Sequence, residues 1–248
     1  MTMKNCTMKL IKLNQNTNSH ILKNSEWGAV TYLAQSQYGR NGTEIGINNY
    51  YTTFMEEPYR ENLTGVYADG SEYWMNNNLE DESAWYTQIG QDGSSTGNKT
   101  GVYDLNGCAG ERIAGYIPDG SYALDVNKGI SNWVSTTANE NGYLTNSTKY
   151  YTIYPYDANN DTETDNWNKY NSLKSSTYGY GDAILETSTG GTGGSAWYEA
   201  NAAFFTGDFA FMERGGTAGG GLASGLFAYE QGPGSPNSGV GFRVILCP

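Results

Sequence analysis

The stretch from Arg214 to Arg243, RGGTAGGGLASGLFAYEQGPGSPNSGVGFR, limits the folds open to this chain more than any other feature. Glycines this dense suggest a phosphate loop, a flexible linker, or a rigid surface segment. A phosphate loop of the Walker type needs a Gly-Lys-Ser/Thr ending before a helix, and the stretch contains no lysine. A dinucleotide fingerprint needs its glycines to follow a strand and open a βαβ unit, whereas GGGLASG runs straight into the apolar LFAY. The linker reading fails on Leu222, Leu226, Phe227 and Tyr229, which a flexible tether has no reason to carry. A rigid surface segment is what remains.

Composition supports a folded chain built on a modest scaffold with many connections. Only 38% of the 248 residues are apolar, but 21 tyrosines and 6 tryptophans supply large buried areas with polar tips. The weight of Gly, Asn, Ser and Thr predicts many turns. A net charge of -12 with no basic patch excludes nucleic acid and disfavours an anionic membrane surface. No apolar run spans a bilayer, which takes about 18 residues, so no membrane insertion is expected. The first twenty residues lack an apolar core of the secretory kind, so no signal peptide is visible in this chain. Sequons such as Asn62-Leu63-Thr64 and Asn146-Ser147-Thr148 arise by chance in so Asn/Thr-rich a sequence and carry no weight here.

Along the chain, CTMKLIKL (6–13) alternates as a short strand within an N-terminal segment, 1–23. NSEWGAVTYLAQSQYG (24–39) predicts a helix capped by Ser25 and stopped by Gly39, with Trp27, Val30, Leu33 and Ala34 on one face. Residues 40–100 are polar and turn-rich, and read as a long loop region. TGVYDLNGCAGERIAGYI (100–117) predicts strand, Asn106-Gly107 turn, strand. An acidic loop over 157–171 leads toward a short helix, and GYGDAILETS (179–188) is a strand candidate. The closing GVGFRVILCP alternates Phe242, Val244 and Leu246 as a strand. With no fixed-period repeat and no Pro/Ser linker, residues 24–248 are expected to form one α+β domain, low in helix and with long loops.

Candidate chemistry is sparse. His20, the single histidine, sits in a polar segment and reads as a solvated loop residue; its isolation counts against zinc sites and His-dependent triads. Glu26, Glu111 and Glu186 are candidate acid/base carboxylates, but no spacing pairs them, so buried ion pairs or caps are the better reading. The run Asp157, Asp161, Glu163, Asp165 supplies calcium-type oxygens without an EF-hand pattern, and reads as a solvated acidic loop. Cys6 opens the first strand candidate and Cys247 closes the last. If those strands pair antiparallel the two thiols come within disulfide range; otherwise they stay unpaired. Cys108 is then the odd thiol, buried and inert.

Four segments in consistent order resemble one family. SEWGAVTYLA is similar to the EW-x-x-A helix of formylglycine-generating-enzyme-like domains, and GVYDLNGCAGE to their GLYDM-x-GNVWE segment. ERGGTAGGG followed by GVGFRVIL resembles their terminal RGGSW…GFR pairing. The likeness covers about residues 24–248 and implies a C-type-lectin-like fold of the sulfatase-modifying-factor branch. Variable proteins of diversity-generating retroelements share that fold and closing motif, as do surface and pilin-like proteins of gut Firmicutes. The enzymes carry copper-binding cysteines between RGG and GFR, and residues 217–240 contain none. In the GNVWE counterpart Cys108 replaces Asn and Gly110 replaces Trp, leaving Glu111 in common.

The resemblance therefore implies a non-catalytic binding protein without a cofactor, a structural calcium ion aside. Arg214, Gly215, Gly216, Gly241 and Arg243 would be structural anchors. Tyr198, Glu199, Asn201, Thr206, Asp208, Thr217, Tyr229, Glu230, Gln231, Ser235 and Asn237 would form an exposed contact surface of the Tyr/Ser/Gly/Asn mixture that paratopes favour. The expected ligand is a protein or glycan on another cell, with this domain on a virion or bacterial surface. The alternatives are an ordinary turn-rich surface, an enzyme with a shifted site, and a pilin-like or virion structural subunit. The sequence does not set the oligomeric state.

Overall fold

A computed structural model describes residues 19–46, 85–88, 90–117, 151–157, 159–177, 181–188, 194–197, 200–217, 220, 223–234, 237 and 239–246. The 6–13 strand candidate, Cys6, Cys247, Tyr198, Glu199 and Ser235 lie outside these residues. The described residues are α+β, with two helices and mostly sheet.

The central strands are β2 (Gly110–Tyr116), β6 (Phe211–Gly215) and β7 (Gly225–Gly232), antiparallel in the order β2-β6-β7. Short strands extend both sides. β3 (Thr152–Ile153) and β8 (Val240–Phe242) run parallel to the two halves of β2. β5 (Asn201–Ala202) runs parallel to β7, with β4 (Gly194–Ser195) beyond it. β1 (His20–Ile21) and β9 (Val244–Ile245) form a separate antiparallel pair, His20 opposite Ile245. Residues 19–23 are also tied to the main sheet, because the Ala114 amide donates to the Leu22 carbonyl at 2.8 Å.

Helix α1 (Asn24–Gln35) begins two residues earlier than a Ser25 cap would place it. Lys23 takes the N-cap position, and Glu26 reaches back so that its Oε2 accepts the Lys23 amide at 2.8 Å; Ser25 is exposed and does not cap. The helix ends before Gly39, because the Ser36 amide and hydroxyl both bond back to the Leu33 carbonyl and leave Ser36 extended. Trp27 and Ala34 are buried as expected and Val30 is half-buried. Leu33 is 48% exposed, and Thr31 takes the inward position in its place. Helix α2 (Glu163–Thr177) follows the acidic loop. Thr162 caps it, accepting the Asp165 amide at 3.1 Å and donating to the Asp165 carboxylate at 2.7 Å.

Two buried clusters divide the core. One gathers Trp27, Leu22, Ile45, Leu105, Ile113, Leu226 and Phe227 beneath α1. The other gathers Tyr116, Tyr154, Tyr170, Phe204, Phe205, Phe211, Met212 and Tyr229 beneath α2. Aromatic rings build the second, with Tyr170 stacked on Phe204 at 5.6 Å and Phe204 edge-on to Phe205 at 4.9 Å.

Two local expectations are corrected. Residues 100–109 form no strand: Asp104 and Gly107 adopt φ of 60° and 82°, so the chain turns continuously until β2 begins. Residues 181–188 also form no strand. Ala183, Ile184 and Leu185 are buried in succession, and the carbonyls of Asp182 and Ala183 bond a side chain instead of a ladder. At the C-terminal end, Phe242, Val244 and Leu246 do alternate, but they occupy the outer face, 39%, 36% and 71% exposed.

Gly28 is where α1 meets residues 181–182, and a Cβ there would collide with the Gly181 carbonyl oxygen and the Asp182 backbone. Gly28→Ala would gain about 1 kcal/mol in helix propensity. Overpacking against backbone costs about 1–3 kcal/mol, so the net effect expected in urea denaturation is destabilising. A stabilised variant would show that the two backbones are not in contact.

Candidate functional site

Register across the sheet sorts the candidate residues into two rows. Gly241, Glu111, Arg214 and Tyr229 are aligned on β8, β2, β6 and β7, with Ala202 of β5 beside Tyr229. One residue along, Phe242, Arg112, Glu213 and Glu230 are aligned on the same four strands. Successive strand residues point to opposite faces, so the two rows look in opposite directions.

The first row is structural. Arg214 is fully buried, with Nη1 donating to the Asp182 carbonyl at 3.4 Å and Nη2 to the Ala183 carbonyl at 3.2 Å. Asn24 Oδ1 accepts from Nη1 at 3.5 Å. The guanidinium lies 5.6 Å from the Trp27 ring and 5.8 Å from the Tyr229 ring, one from each core cluster. Burial lowers the Arg214 pKa to about 10, opposed by the neighbouring Asp182, so the group stays charged at neutral pH. Asp182 accepts the Tyr170 hydroxyl, and the Tyr154 hydroxyl at 3.4 Å; burial pushes its carboxyl above the usual range. Glu186 accepts the Gly181 amide at 2.6 Å and closes the turn.

Arg243 makes the second ion pair. Its Nε donates to both Glu111 carboxylate oxygens at 2.6 and 2.7 Å, and Nη2 lies 2.5 Å from Oε1. Burial pushes Glu111 up to about 7, with Arg243 pulling it back. The arginine is half-buried and the carboxylate nearly fully so. Cys108 is half-buried beside this pair, and burial pushes its thiol up to about 11, which keeps it protonated.

Gly215 and Gly216 have φ of 85° and 70°, a region that side chains rarely adopt. A Cβ at Gly215 would stand 2.7 Å from the Leu105 carbonyl oxygen, and the Gly107 amide donates to the Gly215 carbonyl at 3.0 Å. The strand end therefore rests directly on the 105–107 turn. Gly241 has open space where its Cβ would be and no left-handed conformation, so neither demands glycine at that position.

The surface candidates separate into groups. Tyr229, expected outside, is fully buried, and its hydroxyl donates to Ser188 Oγ at 2.9 Å. Its neighbour Glu230 faces the other way and is half-buried, accepting the Asn201 amide at 3.0 Å. Gln231 bonds Thr206 at 2.8 Å and reaches Glu163 at the start of α2. Asp208 is exposed in the turn after Thr206, next to Phe209 at 43% exposure. Asn201 and Glu230 thus meet on one face of the sheet toward the end of β7, and Thr206 and Gln231 on the other, with Asp208 in the turn beyond Thr206. Thr217 is exposed at the opposite end, its carbonyl accepting Ser224 Oγ at 2.6 Å. Eight strand residues at about 3.3 Å each keep it apart from the others. Asn237 is exposed and closes its own turn onto the Gly239 amide at 2.8 Å.

Sequence reasoning misplaced His20 and missed Phe209. His20 is 7% exposed within β1 and pairs through Nε2 with Glu26 at 2.7 Å; pairing with β9 draws it in from solvent. Phe209 follows Gly207 and Asp208 in TGDF, turn-forming residues that are the readable signal for the Thr206–Phe209 turn the structure shows. The acidic run converges on protein groups: Asp161 accepts the Gly207 amide at 2.7 Å and the Asn166 amide at 2.9 Å. Among the described residues no three His, Cys, Asp or Glu side chains gather in a metal-holding group. Comparison of the chain with protein-family models and with curated proteins finds no match.

Replacing Arg214 by Met keeps much of the volume but leaves the Asp182 and Ala183 carbonyls without their donor and the Asp182 carboxylate without its neighbouring positive charge. The expected loss is about 3–5 kcal/mol in chemical denaturation. A loss below about 1 kcal/mol, the range of a surface ion pair, would remove the anchor role.

Proposed function

We propose that the chain is a non-catalytic ligand-binding domain of C-type-lectin-like architecture, a receptor-recognition or adhesion module of a virion or bacterial surface. The ligand is a protein or glycan on another cell. The retroelement-type variable proteins, which the RGG and GFR motifs resemble, are the nearest functional class.

One observation carries this reading. Two pairs of expected contact residues flank the end of β7, Asn201–Glu230 on one face of the sheet and Thr206–Gln231 on the other, and the exposed Asp208 and Phe209 border the Thr206–Gln231 side. The side chains are polar and pre-ordered from beneath, so little conformational entropy is lost when a partner docks. An exposed aromatic beside them is the residue type that dominates binding energy at interfaces. Tyr229 does not contribute a contact, because its ring lies in the core.

The test uses an immobilised glycan panel and intact bacterial cells as probes, with the purified full chain. Joint replacement of Asp208 and Phe209 by Ala is expected to weaken binding by about ten-fold or more, a loss of about 1.4 kcal/mol. Both side chains are exposed, so the Tm should move by no more than about 2 °C. Undiminished binding, or no binding to any probe, would contradict the proposal.

A further inference from the structure

The segment 40–46 lies outside the sheet but inserts one side chain into the core. Ile45 is 1% exposed, packed in the cluster beneath α1. What holds it there is Asn106, 2% exposed, whose Nδ2 donates to the Ile45 carbonyl at 2.7 Å and to Glu44 Oε1 at 3.3 Å. Glu44 Oε1 also accepts the Ile45 amide at 3.2 Å. The Gly46 amide donates to the Asp92 carbonyl at 2.8 Å, which pins the segment to the 90–93 turn.

The Glu44 carboxyl is an imperfect fit as an anion. Its Oε2 is shielded from water and has no hydrogen-bond partner among the described residues, and Asn106 Oδ1 is in the same state. Two charged groups stand on the surrounding elements. Arg40, on the segment itself, has Nη1 engaged by Asp92 at 3.3 Å, and Asp104 lies two residues before Asn106 on the facing loop. Arg40 is thus already committed to another carboxylate, and leaving a buried charge without a dedicated partner is costly.

We propose that Glu44 is a proton-controlled latch: protonated, it holds residues 43–46 against Asn106 and the core, and on losing its proton it releases them. The consequence travels through backbone contacts. Asn106 precedes Gly107, whose amide bonds the Gly215 carbonyl, so the latch bears on the turn that follows Arg214. The latch is independent of what the β7 surface binds.

The direction follows from linkage. Burial pushes the Glu44 carboxyl up to about 7 from 4.5, against the opposing pulls of the Ile45 amide, Arg40 and Asn106. A raised folded-state value means the latched form holds its proton more tightly. Latching is therefore fully present below about 4.5, and is lost progressively as pH rises to about 7. Between about pH 6 and about pH 8 the open fraction of this segment should rise about ten-fold.

Hydrogen exchange followed by mass spectrometry on the full chain, corrected for intrinsic rates, reads this in the amides of 43–46. The wild type should lose about ten-fold in protection across that range. Glu44→Gln, which keeps the acceptor oxygen and cannot ionise, should change by less than about two-fold. Equal pH dependence in both proteins, or none in either, would overturn the proposal. If Glu44→Gln does not fold, a carbon-13 titration of the Glu44 carboxyl in the wild type, assigned apart from the likewise raised Glu111, decides. A midpoint within about one unit of 7 supports the latch, and a midpoint near the ordinary 4.5 overturns it.

Discussion

Everything in the centre of this protein depends on one guanidinium. Arg214 stands where the two core clusters meet, between a tryptophan of one and a tyrosine of the other. It takes up backbone carbonyls of a turn that forms no ladder of its own. A planar fork with several donors can meet those carbonyls and lie against rings at once, which an ammonium cannot. Asp182 balances the charge and is in turn satisfied by two tyrosine hydroxyls. An apolar residue could fill the space, but it would leave the Asp182 and Ala183 carbonyls without their donor.

The sheet separates structure from surface by a single residue of register. Arg214 and Tyr229 belong to the inward row, while Glu213 and Glu230 belong to the other. Glu213 faces Glu230 directly across the two strands, a like-charge arrangement that costs stability unless it is relieved. Arg112 on one side, 3.4 Å from Glu213, and Asn201 on the other, 3.0 Å from Glu230, supply that relief. The polar end of β7 is therefore ordered by neighbours on β2 and β5, which makes it a suitable place for contacts that must not disturb the fold.

Parts of this were legible in the sequence. The Trp27 helix and the acidic loop ahead of a helix carry local signals, an apolar period and a polar acidic run, and the backbone freedom of Gly215 and Gly216 is equally local. The burial of Arg214, by contrast, was implied by the family resemblance alone, and the Ser25 cap was misread. The errors arise where tertiary contacts override local pattern. Tyr229, Glu230 and Gln231 cannot all face outward from one strand, and the alternation rule alone would have divided them. His20 looked solvated because its partners, Glu26 and β9, lie six and more than two hundred positions away. The 181–188 segment has strand composition, yet its carbonyls serve Arg214 from 32 residues downstream. Composition has no access to any of these distances.

Hydrogen exchange on Arg214→Lys tests the central claim most directly, because lysine keeps the charge and loses the fork. The account predicts that amides of 181–188 lose protection by about ten-fold or more while those of β2, remote from the lost carbonyl bonds, keep most of theirs. Unchanged protection in 181–188 would contradict it, showing that the turn is held by something other than this side chain.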